Sequence, residues 1–317
     1  MLSPFAIGLA LGKHETFATA AFLPRLPVVG LTHFRYTPPV YLAECPVENS
    51  PTTQEPGLTG NVLFYKNPQP LNPEQHAGLG VKTIEQPFGF LRTAHAIPVT
   101  VTEFGMAAAA YPIIFVGDDY TPVAVMGVSQ GQNLFVRDDG TTEPDFYVPA
   151  FVRRYPFVFA NDDQTDRLLL CIDRDAPMVT NQPEVPLFEN GEPSPFTQNA
   201  IEFCKEFERQ RRSTTEFTKI IRSMGLFEQK SVAFQPRDQQ GNPQGEQQKI
   251  ADYWAIDENK LNELTDEQFK ELRTNGALGA IYAHMISLLN WQRVIQRALL
   301  KQAGDAAAAP TPAPAAT

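Results

Sequence analysis

Between Ser194 and Gly225 the chain carries a pattern that leaves little freedom in how the rest can be arranged. Ser194 followed by Pro195 is an N-cap and first-turn pair: the hydroxyl accepts from a first-turn amide, and proline has no amide hydrogen to leave unpaired there. From that point Phe196, Ala200, Phe203, Phe207, Phe217, Ile221 and Met224 recur mainly at steps of three and four, and Gly225 supplies a stop. The spacing predicts one long amphipathic helix, with a break expected near Ser213. A helix of about 30 residues is roughly 45 Å long, so its apolar stripe needs a broad apolar partner from elsewhere in the chain.

That partner is legible upstream as strands. Tyr111–Asp118 and Arg167–Asp173 are short apolar runs, and Val123–Val128 with Asn133–Asp138 flank the polar SQGQ, which predicts a hairpin. Thr100 with Glu103 three residues on forms a capping box for a short helix through Ala110, which Pro112 stops. Downstream, a polar loop around Asp238–Gln248 precedes a short strand at YWAID, and Thr265 with Gln268 opens a further helix. A last helix carries Leu278, Ile281, Tyr282, Met285, Leu288, Leu289 and Ile295 on one face. Strands first and helices after, without strict alternation, give an α+β class: a strand-rich N-terminal half with hairpins, packed by long amphipathic helices from the C-terminal half. Residues 1–60, mixed in Pro, Thr and Gly, read as a poorly ordered or loosely docked extension. Residues 61–302 form the folded unit, and the Ala/Pro stretch 303–317 is expected to be a disordered tail.

Charge and cysteine usage narrow the function classes. A net charge of -10 argues against nucleic-acid binding, which needs clustered Lys and Arg. Cys45, Cys171 and Cys204 are too few and too far apart for a disulfide framework or a CxxC motif, so a reducing compartment, the cytoplasm, is the simpler expectation. The apolar stretch Ala277–Leu300 is interrupted by His284, Asn290, Gln292, Arg293, Gln296 and Arg297, so no transmembrane segment is expected. The start MLSPFAIGLALGKHE lacks a basic residue ahead of its apolar run, and the chain reads as non-secreted. The five histidines never fall in metal-ligand spacing, no phosphate-binding glycine loop or GxSxG elbow occurs, and no metal or cofactor is expected. Cys171, inside an apolar run, reads as a buried thiol and not as a nucleophile.

Three groups of residues carry whatever chemistry there is. His76, Arg92, His95 and Glu103 form a polar set suited to acid-base work or anion binding, with His76, His95 and Glu103 as the catalytic candidates. The plainer reading of Glu103 is the capping box. Arg153 and Arg154, set among Phe151, Tyr155, Phe157 and Phe159, suit a carboxylate, a phosphate or a protein interface; alternatively one arginine pairs with an acid while the aromatics fill the core. On the last helix, Tyr282, His284 and Trp291 either wall a pocket or pack against the sheet.

Taken in order, FYKNPQPLNPEQHAGLGVK, FLRTAHAIPVTVTEF, AAYPIIF, PVAVMGV, YVPAFVRRYPFVFA, LCID, NGEPSP and DENKLNELTDEQFKELRTNGALGAIYAHMISLLNWQRV resemble the SapC family of bacterial proteins over residues 61–297. The resemblance implies a link with surface-layer loci and brings no established catalytic residues. It favours an intracellular accessory or binding protein for a cell-envelope or surface-layer system, with a protein partner in that system. Two alternatives stand beside it: an enzyme or binder for an anionic small molecule in which Arg92, His95, Arg153 and Arg154 share a pocket, and an exported component of the surface layer itself at the cell surface. The oligomeric state is open.

Overall fold

A computed structural model describes residues 63–162, 167–234, 246 and 248–308. In chain order the first strands are β1 (Pro68–Pro70), β2 (Gly80–Val81), β3 (Ala96–Pro98), β4 (Ile113–Val116), β5 (Thr121–Val125), β6 (Phe157–Asp162) and β7 (Arg167–Asp173). The short β8 (Val179–Thr180), β9 (Val185–Pro186), β10 (Phe188–Glu189) and β11 (Glu192–Pro193) follow, then β12 (Phe227–Phe234) and β13 (Gln248–Ile256). The helices are α1 (Phe104–Ala107), α2 (Ala150–Arg153), α3 (Pro195–Ser223), α4 (Glu258–Asn262), α5 (Asp266–Thr274), α6 (Ala277–Ser287) and α7 (Trp291–Ala308). The class is α+β, with antiparallel sheets dominating the first half and helices the second.

The main sheet runs β12-β13-β4-β5-β3 and a smaller one β1-β7-β6; every pairing in them is antiparallel. Along β4 the side chains alternate as a pleated strand requires: Ile113 and Phe115 join the principal core with Phe104, Phe217 and Ile221, while Ile114 faces a second layer with Val123, Tyr253 and Trp291. A separate apolar cluster beneath the smaller sheet gathers Leu79, Phe157, Ile172, Leu187, Ala200 and Cys204.

Helix α3 joins these clusters. Ala200 and Cys204 belong to the cluster under the small sheet, whereas Phe207, Phe217 and Ile221 belong to the principal core. Its ends form as the local chemistry dictates: Ser194 Oγ accepts from the Thr197 amide at 3.2 Å, and Gly225 (φ 68°) lets the Leu226 and Gly225 amides close on the Ile221 and Arg222 carbonyls. The break expected near Ser213 does not occur, and the helix is continuous over 29 residues. Ser213, Thr214 and Thr215 each donate back to the carbonyl four residues earlier, so their hydroxyls are satisfied without leaving the helix.

Two further differences from the sequence reading are informative. The hairpin expected across SQGQ is replaced by one between β4 and β5, turned at Gly117 and Tyr120, both at positive φ. Asn133 Oδ1 takes the Phe135 amide at 2.9 Å, which removes it from any ladder, and Val136 makes an isolated bridge to Thr142. The single last helix becomes α6, a 3-10 turn at Leu288–Asn290 and α7, and α7 continues to Ala308, into the stretch expected to be a tail, as alanine's helix propensity allows. Residues 1–60, the loop residues 235–245 and residues 309–317 lie outside the described residues. Among the described residues no helix is long and apolar enough to cross a membrane.

Candidate functional site

Glu103 is 5% exposed and fully engaged. Its Oε2 accepts from the Thr100 amide at 3.0 Å and the Thr100 hydroxyl at 2.8 Å, completing the capping box. Its Oε1 accepts from the Ala150 amide at 2.6 Å and the Tyr147 hydroxyl at 2.9 Å, with an Arg153 nitrogen 3.6 Å away. One carboxylate thus ties the turn before α1 to the start of α2. Both oxygens are occupied by donors the fold needs, which leaves no lone pair aimed at a substrate.

His284 is equally committed. Trp254 pairs with Phe115 between β13 and β4, so Ile256 and Ile113 face each other two residues further along that register. They are joined through the imidazole: Nδ1 meets the Ile113 carbonyl at 2.9 Å and Nε2 accepts from the Ile256 amide at 3.0 Å. That arrangement requires the neutral ring protonated on Nδ1, and burial pushes the His284 pKa down to about 4. Ser287, a turn later, accepts from the Ile113 amide at 2.9 Å, so α6 is bonded to both polar groups of that residue. Trp291 is buried against Tyr253 at 5.8 Å between ring centroids.

The remaining candidates are distributed. His76 is buried, with Nδ1 accepting from the Asn72 amide at 3.0 Å, and burial followed by the nearby Arg174 holds its pKa below the usual value. His95 is lowered by burial and lies against Gly127, where an added Cβ would stand 1.9 Å from the Gln132 carbonyl. Arg153 donates to the Val148 carbonyl at 3.1 Å and sits over Phe203, while Arg154 turns inward among Phe151, Phe207 and Tyr65. Cys171 and Cys204 are buried free thiols, and burial pushes each up to about 12. Among the described residues no three His, Cys, Asp or Glu side chains are grouped to hold a metal ion.

Arg92 and Tyr155 are brought together, at an open cleft of about 930 Å³ formed by segments 63–66, 82–86 and 89–94 with Tyr155 and Pro177. Buried Asp173, at the end of β7, builds one wall: its carboxylate accepts from the Asn67 amide at 2.9 Å, the Lys66 amide at 3.1 Å and the Tyr155 hydroxyl at 3.2 Å. The Tyr155 pKa is raised by burial and by that carboxylate, so the phenol stays protonated. The ring of Tyr155 stacks on Phe90 at 4.3 Å and meets Tyr65 edge-on at 5.3 Å, and Phe90 meets Phe64 edge-on at 5.3 Å. Phe64 has φ 82°, a left-handed conformation that costs a bulky residue about 1–2 kcal/mol and is held here by its packing on Phe90 and Phe151.

The lining also carries charge. Lys82 follows β2, where Gly80 is needed because a Cβ there would lie 2.2 Å from the Val185 carbonyl. Glu184 then anchors the next residue, accepting from the Thr83 amide at 3.0 Å and hydroxyl at 2.8 Å; those bonds hold the Glu184 pKa below the usual range. Lys66, Lys82 and Arg92 line the cleft, with Glu85 as the single acid among the described residues. Neither lysine has an ion-pair partner among the described residues, and Arg92 reaches Gln86 while its buried Nε has no partner. Among the described residues no His, Cys or Ser lines the space. Phe64, Tyr65 and Lys66 open the first stretch that resembles the family, and Lys82 and Phe90 fall within such stretches, but none of the five stands among the site candidates read from the sequence.

An α+β chain whose buried Glu103 and His284 are saturated by internal partners, with an open aromatic cleft lined by cations, is the class that fold and site define. The SapC family model matches residues 71–294, and the chain belongs to the SapC family. The matched span contains Lys82, Phe90, Arg92 and Tyr155 and begins after Phe64, Tyr65 and Lys66. No curated protein and no solved structure matches the chain.

Proposed function

We propose that this SapC-family chain is a binding protein whose cleft takes an anionic ligand with a flat aromatic or apolar body. One observation carries the reading: in a chain of net charge -10, Lys66, Lys82 and Arg92, none ion-paired among the described residues, line the same cleft as Phe64, Phe90 and Tyr155. A cleft of about 930 Å³ is at the upper end of the usual ligand range, which suits a ligand larger than a single nucleotide base. Cations supply attraction and orientation, while the aromatic wall supplies apolar contact.

Titration with 8-anilinonaphthalene-1-sulfonate, an aromatic anion that reports its own capture by fluorescence, tests this. Saturable binding to the folded chain, weakened at least tenfold in Arg92→Ala and by added salt, is expected. Binding unchanged by Arg92→Ala sinks the reading.

The family resemblance suggests the setting, an accessory in a cell-envelope or surface-layer system. Native mass spectrometry of the chain purified from its own host tests that part: a stoichiometric envelope protein supports it, and recovery of the chain only as a free monomer from the soluble fraction counts against it.

A further inference from the structure

Beside Tyr65, a residue that lines the cleft, lies a cation that the binding reading does not use. Arg154 is 4% exposed. Its guanidinium carbon stands 4.3 Å from the centroid of Phe151, 4.6 Å from Phe207 and 5.8 Å from Tyr65. Among the described residues no carboxylate lies within ion-pair distance, and its buried Nε has no hydrogen-bond partner. Arg153, the adjacent residue, has both Glu103 and the Val148 carbonyl.

The titratable groups nearest Arg154 are neutral, and the buried Asp173 carboxylate, which acts on Tyr65 from further off, is spent on the Lys66, Asn67 and Asp175 amides and the Tyr155 hydroxyl. Burial holds the Cys204 thiol up to about 12, and the Tyr65 hydroxyl, raised mainly by burial, donates to the Phe157 carbonyl. A guanidinium cannot shed its proton at any pH a protein survives. Aromatic faces attract it, yet they offer no acceptor to its N–H edge. A fixed buried charge with unfilled donors calls for a counter-charge.

We propose that the guanidinium edge of Arg154 holds a small monovalent anion of halide size, in a site beside the Tyr65 ring. Charge sets the valence, because a phosphate or sulfate would bring excess negative charge into apolar walls with one cation to meet it. Burial sets the size. The ion would sit where α2, α3 and the segment before β1 meet, since Phe151, Phe207 and Tyr65 come from those three places, and would hold them together.

Thermal unfolding of the full chain in sodium bromide against sodium gluconate, at equal ionic strength, tests the site. The expected result is a midpoint higher in bromide by about 2–4 °C, retained in Lys66→Glu/Lys82→Glu and lost in Arg154→Met. Equal midpoints in the two salts, an increment that persists in Arg154→Met, or one that vanishes in the lysine variant overturns the proposal. Crystals grown in bromide give a reading that needs no variant. An anomalous peak within about 3.5 Å of an Arg154 nitrogen supports it; an ordered guanidinium with no peak, or with a carboxylate from residues 1–62 against it, overturns it.

Discussion

Glu103 and the rim of the cleft hold charge in opposite ways. Glu103, deep between the first turn and α2, spends both oxygens on two backbone amides and two hydroxyls, and any further partner would displace one the fold needs. Lys66, Lys82 and Arg92 stand at the edge of an open cleft with donors to spare. The contrast separates residues that look catalytic from residues free to meet a ligand. A saturated charged group is architecture however suggestive its identity, and an unsaturated one at a cavity is available for recognition. His284 falls on the Glu103 side of that divide, both its nitrogens being bonded to the backbone of neighbouring strands.

The strongest test of the contrast is Glu103→Ala. It strands the Ala150 and Thr100 amides and the Tyr147 hydroxyl, and unfolding by urea should show a loss on the order of 3–5 kcal/mol. A loss below about 1 kcal/mol would move Glu103 out of the architectural class.

His284 gives the next largest effect, and its sign follows from the depressed pKa. The unfolded imidazole binds a proton near pH 6.5 and the folded one only near pH 4, so the ring's contribution is complete above pH 6.5 and is lost as pH falls toward 4. That loss is on the order of 3 kcal/mol. Subtracting the stability of His284→Gln from that of the unaltered chain at each pH isolates it from the carboxylates. A flat difference across that window would show that the ring is not held neutral. His76 and His95, also lowered by burial, act in the same direction.

On the other side of the divide, Lys66→Glu/Lys82→Glu should leave stability within about 0.5 kcal/mol while weakening capture of the anilinonaphthalene sulfonate at least tenfold. A large stability change would place the lysines with Glu103 after all. Tyr155→Phe should do least to binding: it removes one bond to Asp173, worth about 1 kcal/mol of stability, and keeps the ring that faces the cleft. If it abolished dye binding, the hydroxyl and not the aromatic wall would be the recognition element.

What could be read from the sequence was local. The capping boxes at Thr100 and Thr265, the Ser194–Pro195 start and the Gly225 stop all depend on residues within a turn of one another, and each forms as expected. Thr100 and Glu103 also show where such reading stops. The capping bond spans three residues, but the carboxylate's other oxygen is filled from 44 and 47 residues away, by groups that no local pattern assigns. Asn133–Asp138 failed as a strand for a local reason that was visible but outweighed by its apolar content, the asparagine side chain capturing a backbone amide. The cleft was the least legible part. Lys66 and Lys82 are ordinary surface lysines until Asp173 fixes the first and the approach of Glu184 to Thr83 places the second.

The imidazole set into the main sheet changes what a single amide there reports. In a plain ladder, slow exchange of a backbone hydrogen with solvent deuterium measures how long two strands stay zipped. At Ile256 the acceptor belongs to α6, so its exchange clock records how often that helix lifts away from the sheet, and strand separation is timed instead by residues such as Trp254. One position on β13 therefore serves as a built-in probe of a helix some thirty residues further along the chain.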